Sequence, residues 1–233
     1  MQVHALDFTV DRRREIMKLR GYLSKFAELE DLYEEVRRDF LKKGLAHHNW
    51  NHVLRDLARG IMIGEEERAD MKVVLAGILL HDIGRLYPKT GRNHYSLGAE
   101  VAPRYLEKAG FSQEEIEGVV RCIRSHGPRG LEEPGTLEAK VCYDVDVLSC
   151  SVGYIGVARV FDYFLREEEM NVKQILELPS GRKGPREDFY TRVGRKLGQD
   201  GFKKAERFWK ELHQEFAEEE RTASEIISDY EGD

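Results

Sequence analysis

Four side chains of this sequence have the types and spacing that a bound divalent metal ion requires. His81 and Asp82 stand side by side directly after the apolar run LAGILL (75–80), where polar groups without partners cost several kcal/mol each. His52 begins a stretch with the periodicity of a core helix, and the residues on both sides of Asp146 are apolar. Imidazole and carboxylate groups together are ligands that Mn, Fe, Co, Ni and Mg accept. The pattern indicates a metal site, and it leaves buried ion pairs or hydrogen-bonded core residues open as alternatives.

Helices must position these side chains, because apolar residues recur at helical spacing and few stretches alternate apolar and polar residues. The segment 69–84 is apolar nearly all round and predicts a core helix that carries the His-Asp pair at its C-terminal end. His52 lies near the start of a helix that Asn49 or Asn51 caps, and Asp146 falls late in another. Helices are also predicted over 24–43, 94–108, 113–126, 136–149, 152–169 and 201–220. The sequence therefore predicts an all-α, bundle-like fold.

The composition is that of an ordinary globular protein. Charged residues make up 34% of the 233 residues and hydrophobic residues 41%, so the chain can bury a core without disulfides. The net charge of −6 provides no basic field for DNA or RNA, so we expect no polymeric nucleic acid as a partner. The three cysteines form no C-x-x-C pair, and no stretch approaches about 18 apolar residues. We expect a cytoplasmic protein without a membrane partner, and the sequence leaves a homo-oligomer open.

We expect a single all-α domain over residues 1–233. In this prediction residues from about 30 to 170 form the core, and residues from about 171 to 233 supply a basic loop and C-terminal helices that pack on it. The loop 178–188 contains two glycines and two prolines. As a solvated surface it needs no function, whereas as a lid it would place Arg182, Lys183 and Arg186 over a polyphosphate or nucleotide.

Three motifs resemble, in order and spacing, the H…HD…D signature of the HD-domain superfamily of metal-dependent phosphohydrolases. They are HHNWNH (47–52), HDIG (81–84) and DVDVL (144–148). The segments HYSLGAEVAPRYLEKAGF (94–111), VVRCIRSHG (119–127) and GYIGVARVF (153–161) also look like parts of that superfamily. The resemblance covers residues from about 30 to 170, with a weaker echo to about 220, and implies an HD-domain-like helical bundle.

The resemblance implies four ligands for one divalent ion, which would be Mn, Mg, Co, Ni or Fe: His52, His81, Asp82 and Asp146. It favours Asp146 over Asp144 because the family's aspartate usually has a leucine two positions later, as Leu148 is here. His94 and His126 occupy positions that bind a second metal or contact the substrate phosphate in some branches. The resemblance therefore leaves room for a second ion.

A phosphohydrolase of this kind attacks a small phosphate ester, such as a nucleotide, with water that the ion activates. We expect Asp82 to bind the ion and orient that water, and His94 or His126 to protonate the leaving oxygen. Cationic side chains would stabilise the charge that develops on the phosphoryl oxygens. The cations predicted for this role or for substrate binding are Arg85, Lys89, Arg92 and Arg159.

The sequence departs from the family pattern after Asp146. Val147, Leu148 and Ser149 stand where many relatives have a basic residue followed by Leu-Asp. A phosphate contact or a carboxylate near the ion is thus predicted to be missing. Two other functions remain open: an HD-fold oxygenase whose six ligands hold two irons, and a noncatalytic regulatory domain that binds metal and ligand without turnover.

Overall fold

The computed structural model describes residues 17–88, 91–127, 130–150, 152–179 and 188–227. In these ranges the chain forms helices joined by turns and contains no β-strand, so the prediction of an all-α fold is confirmed. In chain order the helices are α1 (Leu19–Lys25), α2 (Ala27–Lys43), α3 (Trp50–Glu67), α4 (Met71–Leu80), a 3-10 turn (Ile83–Leu86), α5 (His94–Ala109), α6 (Gln113–Ser125), α7 (Leu137–Cys150), α8 (Gly153–Arg166), α9 (Val172–Glu177) and α10 (Arg192–Ile227).

Helix α4 lies in the middle of the bundle, against α3, α6 and α7. Every residue from Lys72 to Leu80 is buried, as the apolar sequence predicts. The Asp70 side chain caps the helix by accepting hydrogen bonds from the backbone N–H groups of Lys72 (2.9 Å) and Val73 (3.3 Å). Because α4 is packed on all sides, the His-Asp pair that follows it is held by the core.

Helices α5 and α6 pack against each other and each contributes one end to the same region. Gly110 ends α5 in the left-handed conformation (φ 90°), and Ser112 starts α6 with a capping box to Glu115. His94 is the first residue of α5, and His126 follows the last residue of α6. Both histidines therefore stand at helix ends.

The predicted helix over 24–43 is two helices in the structure. Phe26 separates α1 from α2 in an extended conformation with φ of −126°. Its ring lies 5.9 Å from the ammonium group of Lys72 on the core helix. Helix α2 then buries its apolar stripe and ends at Gly44, which has the left-handed φ of 65° that the predicted stop requires.

The last helix is longer than the prediction of 201–220, because α10 already begins at Arg192. The predicted start at 201 left Gly194 and Gly198 outside the helix, whereas in the structure both lie within it and allow close packing. A Cβ atom on Gly194 would lie 2.1 Å from Asp144 Oδ2, and one on Gly198 would lie 2.2 Å from a phenylalanine ring. The cost of glycine in a helix, about 1 kcal/mol, is offset where no larger side chain fits.

Apolar side chains of the described residues form a main core and a second cluster. The main core involves helices α1 to α7 and the start of α10, and the second cluster joins α8, α9 and the rest of α10. Its buried members are Val157, Phe164, Ile175, Leu176, Ala205 and Trp209. The single-domain organisation and its boundaries stay a prediction.

Residues 180–187 lie outside the described ranges, and with them most of the predicted basic loop, including Arg182, Lys183 and Arg186. In the part of the chain that is described, no single helix has the length and apolar character to cross a membrane. The bent pair α7 and α8 passes that test only when the two helices are taken together, by length and composition alone.

Candidate metal centre

Three helices bring the four predicted ligands into one cluster. Asn49 caps α3 by accepting a hydrogen bond from the His52 backbone N–H (3.2 Å), which fixes His52 in the first turn. His81 caps the C-terminal end of α4, and Asp82 follows it at the start of the 3-10 turn. Asp146 faces them from α7, with one oxygen within 4.8 Å of ligand atoms of His52 and His81.

His52 and His81 both direct their Nε2 atom toward Asp82. The Nε2 atoms of His52 and His81 are 3.1 Å apart, and Asp82 Oδ2 lies 3.4 Å from the first and 3.2 Å from the second. His81 Nδ1 lies 2.7 Å from the backbone oxygen of Ile78, which can only accept, so Nδ1 carries the proton. In neutral His81 the Nε2 lone pair is therefore free for a metal ion, in the orientation typical of metal-binding histidines.

Buried charge favours a cation at this place. Burial lowers the pKa of His81, but the Asp82 carboxylate outweighs that effect and raises the pKa to about 10. Burial raises the pKa of Asp146, and the neighbouring His81 only partly opposes it. The carboxylate field that raises the affinity of His81 for a proton also attracts a divalent cation. Two imidazoles and buried carboxylates thus fit such an ion.

His94 and His126 face the other oxygen of Asp82, and ligand atoms of the three residues lie within 4.8 Å of one another. His126 Nδ1 donates to the backbone oxygen of Ile123 (2.7 Å), while its buried Nε2 has no hydrogen-bond partner among the described residues. Burial lowers the pKa of His126 to about 3 and lowers that of His94, helped by the nearby Arg85. Both rings are therefore neutral near pH 7.

Arg85 bridges the two groups of ligands. Its Nε donates to Asp82 Oδ1 (2.5 Å), and its Nη2 lies 3.2 Å from His94 Nε2. Since a guanidinium can only donate, His94 presents the Nε2 lone pair and carries its proton on Nδ1. Neither His94 nor His126 thus directs an N–H at the cluster, a geometry that favours contact with an ion or water over the expected proton donation.

The neighbouring aspartates of DVDVL have different surroundings. Asp144 accepts hydrogen bonds from the backbone N–H groups of Tyr190 and Thr191 (both 2.8 Å) and from the Thr191 hydroxyl (2.6 Å). These bonds fasten α7 to the start of α10. Asp146, by contrast, is only partly buried and faces the histidines, so the preference for Asp146 agrees with the geometry.

One carboxylate of the cluster was missed in the sequence. Asp56 is 1% exposed, and its Oδ2 lies 3.3 Å from His52 Nε2 and 3.9 Å from His81 Nε2. The signal was its position four residues after His52, since residues at that spacing share one face of a helix. Its other oxygen accepts from Ser149, the residue whose identity had predicted a missing carboxylate.

The family model of the HD domain matches residues 49–150, which include all four predicted ligands. This match covers less than half of the chain and shows an HD domain over residues 49–150. A solved structure of a predicted HD-superfamily hydrolase from an uncultured Thermotogales bacterium is 27% identical, with a TM-score of 0.60, and the match covers 87% of this chain and 99% of that one. The resemblance stated from the three motifs is thus confirmed.

Other relatives match less of their own length or at lower identity. The Bacillus subtilis protein YpgQ is 34% identical over 119 residues, 49% of this chain and 56% of the relative. Ribonuclease Y of a Nitratiruptor species is 31% identical over 140 residues, 59% of this chain but 24% of that protein. A crystal structure of YpgQ in complex with ADP shares the fold, with 21% identity, a TM-score of 0.57, and coverage of 82% and 96%. The chain therefore spans about half of the length of YpgQ and less of the length of ribonuclease Y.

The other cations that the sequence predicted for the site lie in different places. Arg92 pairs with Glu100 (2.6 Å) on the exposed face of α5, so the structure does not bring it into the cluster. Lys89 lies outside the described residues. Arg159 donates to the backbone oxygen of Ser149 (3.0 Å), three residues after Asp146 on the same helix. Of the described candidates, Arg85 and Arg159 are therefore the ones near the four predicted ligands.

A histidine and a glutamate close the rim of the HD cluster. Glu167 accepts hydrogen bonds from the backbone N–H groups of His47 (2.8 Å) and His48 (2.9 Å), and its Oε2 lies 2.5 Å from His48 Nδ1. The other ring nitrogen of His48 is 3.9 Å from Asp82 Oδ2. His48 is thus a neighbour of the ligands, held by the end of α8.

Replacing Glu167 by glutamine should make the protein less sensitive to acid. Burial raises the pKa of Glu167, but the hydrogen bond from His48 outweighs it, and the pKa falls to about 2. A depressed carboxyl pKa stabilises the fold fully above pH about 5, and that stabilisation disappears as the pH falls toward 2. The depression corresponds to at most about 3 kcal/mol.

Urea unfolding at pH 6 and pH 2.5 measures this effect. The unfolding free energy of the unmodified protein should fall by up to about 3 kcal/mol more than that of Glu167→Gln. Equal losses in the two proteins would show that Glu167 has no depressed pKa.

Proposed function

We propose that this HD-domain protein is a metal-dependent phosphohydrolase that cleaves a small phosphate ester, with a nucleotide as the preferred class. The observation that carries the proposal is the convergence of His52, His81, Asp82 and Asp146, with the Arg85 guanidinium directly beside them. A bound divalent ion lowers the pKa of water enough to supply a nucleophile near neutral pH. The HD-domain match and the likeness to a solved structure of a predicted HD-superfamily hydrolase support the same reaction type.

Arg85 is the residue best placed to receive the phosphoryl group. Its guanidinium is fixed by Asp82 and His94, so its direction is set before a substrate arrives. A preorganised cation next to the reacting phosphorus stabilises the charge of the transition state without reorganisation. Asp82 contacts the histidines through Oδ2 and Arg85 through Oδ1, and it thereby holds the two halves of the site in register.

A second group of arginines supports binding of a further anionic group of the substrate. Burial lowers the pKa of Arg159, and the positive charges of Arg55 and Arg59 add to that effect. Guanidinium groups this close repel one another, and an anion between them would relieve the repulsion. The structural relative YpgQ, solved with ADP, agrees with a nucleotide in this fold. These arginines are therefore proposed to bind the phosphates of a nucleotide beyond the one that is cleaved.

The di-iron alternative is based on the group Asp82, His94 and His126. Arg85 argues against it, because its guanidinium already donates to Asp82 Oδ1 and to His94 Nε2. A fixed positive charge at those atoms disfavours a second metal cation there. We therefore propose one ion at His52, His81, Asp82 and Asp146, with Arg85 in place of a second.

The first experiment measures phosphate or pyrophosphate release from a panel of substrates. The protein is stripped with a chelator and reloaded separately with Mn, Mg, Co, Ni or Fe. The panel contains nucleoside mono-, di- and triphosphates, a simple phosphomonoester and a short RNA, the last because ribonuclease Y is a relative. We expect release from a nucleotide that depends on the added metal, and no cleavage of the RNA.

The outcomes separate the candidate functions. RNA cleavage without nucleotide hydrolysis would replace the small-molecule proposal by a nuclease. Iron bound at two per chain, together with oxygen consumption, would support the oxygenase. Tight nucleotide binding without release under any metal would identify a regulatory domain.

A further inference from the structure

One oxygen of the Asp56 carboxylate accepts hydrogen bonds, and the other has no hydrogen-bond partner among the described residues. Oδ1 accepts hydrogen bonds from the Ser149 hydroxyl and from Arg59 Nη1 (3.4 Å). Oδ2 is buried and has no hydrogen-bond partner among the described residues. Burying a carboxylate oxygen without a hydrogen-bond partner costs more free energy than burying a neutral polar group in the same place. The position of Oδ2 therefore needs an explanation.

The atoms around Oδ2 explain what the missing partner is. His52 Nε2 lies 3.3 Å away and His81 Nε2 lies 3.9 Å away. His81 keeps the proton on Nδ1, so an ion that replaces the proton on Nε2 would meet lone pairs from both Nε2 and the Asp56 carboxylate. Asp146 contributes another oxygen within 4.8 Å of the same atoms. A divalent cation placed among these atoms contacts all of them at once and replaces the proton on His81 Nε2.

The hydrogen bonds on Oδ1 have the geometry expected for support of a ligand. Arg59 Nη1 also donates to the Ser149 hydroxyl (2.7 Å), so carboxylate, hydroxyl and guanidinium form a closed triangle behind Oδ2. Such contacts fix the direction of a carboxylate and are the usual outer support of a metal ligand. A carboxylate that only balanced Arg59 would not need its second oxygen among the histidines.

We propose that Asp56 is a fifth protein ligand, through Oδ2, of the ion held by His52, His81, Asp82 and Asp146. This inference depends on the proposed function because it needs an ion at that site. Two imidazoles and three carboxylates suit an ion that accepts more than four ligands, such as Mn, Fe, Co or Ni, and exclude a tetrahedral zinc site.

The test is metal binding by the full chain after removal of metal with a chelator. Mn²⁺ is titrated into the unmodified protein and into Asp56→Asn, and free Mn²⁺ is followed by its electron paramagnetic resonance signal. Asparagine keeps the volume and still accepts from Ser149, but it loses the charged oxygen. We expect at least a tenfold weaker Mn²⁺ affinity. The matched control is Asp162→Asn, the same chemical change at a carboxylate that pairs with His47 outside the cluster, and its affinity should change less than threefold.

A second readout separates ligation from the mere loss of a charge. The visible spectrum of the Co²⁺-loaded protein reports the number and type of ligands, so Asp56→Asn should change its band positions and intensity while Asp162→Asn does not. Asp56→Ser provides a second variant with the same expected result if the asparagine variant does not fold. Circular dichroism of the metal-free proteins shows that the fold is intact.

The outcomes are distinct for the two proposals. If the unmodified protein binds no Mn²⁺ or Co²⁺, the proposed metal-dependent function fails, and this inference fails with it. If the unmodified protein binds Mn²⁺ but Asp56→Asn matches it within threefold and keeps the same Co²⁺ spectrum, only the role of Asp56 is overturned.

Discussion

Replacing Asp82 by asparagine is expected to lower metal-dependent phosphate release by about 10³-fold or more, with the helical fold intact. Asp82 contributes to both halves of the site. Its Oδ2 lies 3.2 Å from His81 Nε2, and its Oδ1 accepts the 2.5 Å hydrogen bond from Arg85. Asparagine keeps the volume but removes the charge, so both the affinity for the ion and the orientation of Arg85 suffer.

Asp82 is ionised in the folded protein, which makes the loss of its charge effective near pH 7. Burial raises the pKa of Asp82, but the charges of Arg85 and His81 outweigh burial and hold the pKa well below its usual range. In the asparagine variant, the Arg85 guanidinium keeps a neutral acceptor but loses its ionic partner. A buried charge without its partner is costly, so we expect a lower unfolding free energy as well.

Turnover with the nucleotide identified in the substrate panel, at saturating Mn²⁺, measures the effect. Circular dichroism and a thermal melt report whether the variant is folded. The control is Lys173→Ala, which removes an exposed cation that pairs with Glu220 and should leave turnover within twofold. An Asp82→Asn protein that retained more than a tenth of the turnover would rule out the proposed role of Asp82.

Hydrophobic periodicity predicts those helices correctly in which the sequence pattern and the tertiary packing agree. Helix α4 is buried all round because its sequence is apolar all round, and Ser112 and Gly110 form the helix cap and stop that their types favour. The start of α10 was missed because glycine has two uses. Glycine is a weak helix former, so Gly194 does not favour an earlier start in the sequence, whereas in the structure it lies against Asp144, where a Cβ would clash.

The sequence predicted four candidate ligands, and the structure brings all four side chains together; their role as ligands stays a prediction. Adjacency in sequence did not predict which cations accompany them. Arg85 and Arg92 both follow the HD pair closely, yet the first contacts Asp82 while the second turns to Glu100 on the surface. The direction of a side chain after a turn depends on the backbone conformation of the turn, which the residue types alone do not specify.

Asp56 shows why a missing carboxylate cannot be predicted from one sequence position. Ser149 stands where relatives carry an aspartate, so the sequence predicted a missing group. The structure places Asp56, from a different helix, against the Ser149 hydroxyl. Either of two packed helices can place a carboxylate at the same point in space. The sequence alone does not reveal that α3 packs on α7, so it does not show which helix provides this carboxylate.

The two aspartates of DVDVL are expected to fail in opposite ways when each is replaced by alanine. Asp144→Ala leaves three donors, at Tyr190 and Thr191, without their acceptor in a buried place. Each lost hydrogen bond to a charged group costs about 1.5–3 kcal/mol, so an unfolding free energy lower by about 3 kcal/mol or more is expected. Metal affinity of the folded fraction should stay within about threefold, because Asp144 faces α10 and not the histidines.

Asp146→Ala should instead lose metal binding while the metal-free protein remains as stable as before. Burial already raises the pKa of Asp146, which shows that its charge is unfavourable without a cation, so removing it relieves repulsion among the carboxylates. Urea unfolding of the metal-free proteins and Mn²⁺ titration of each give both quantities. The opposite pairing, with Asp144→Ala losing metal and Asp146→Ala losing stability, would assign the ligand to Asp144 and reverse the roles argued from Thr191 and His81.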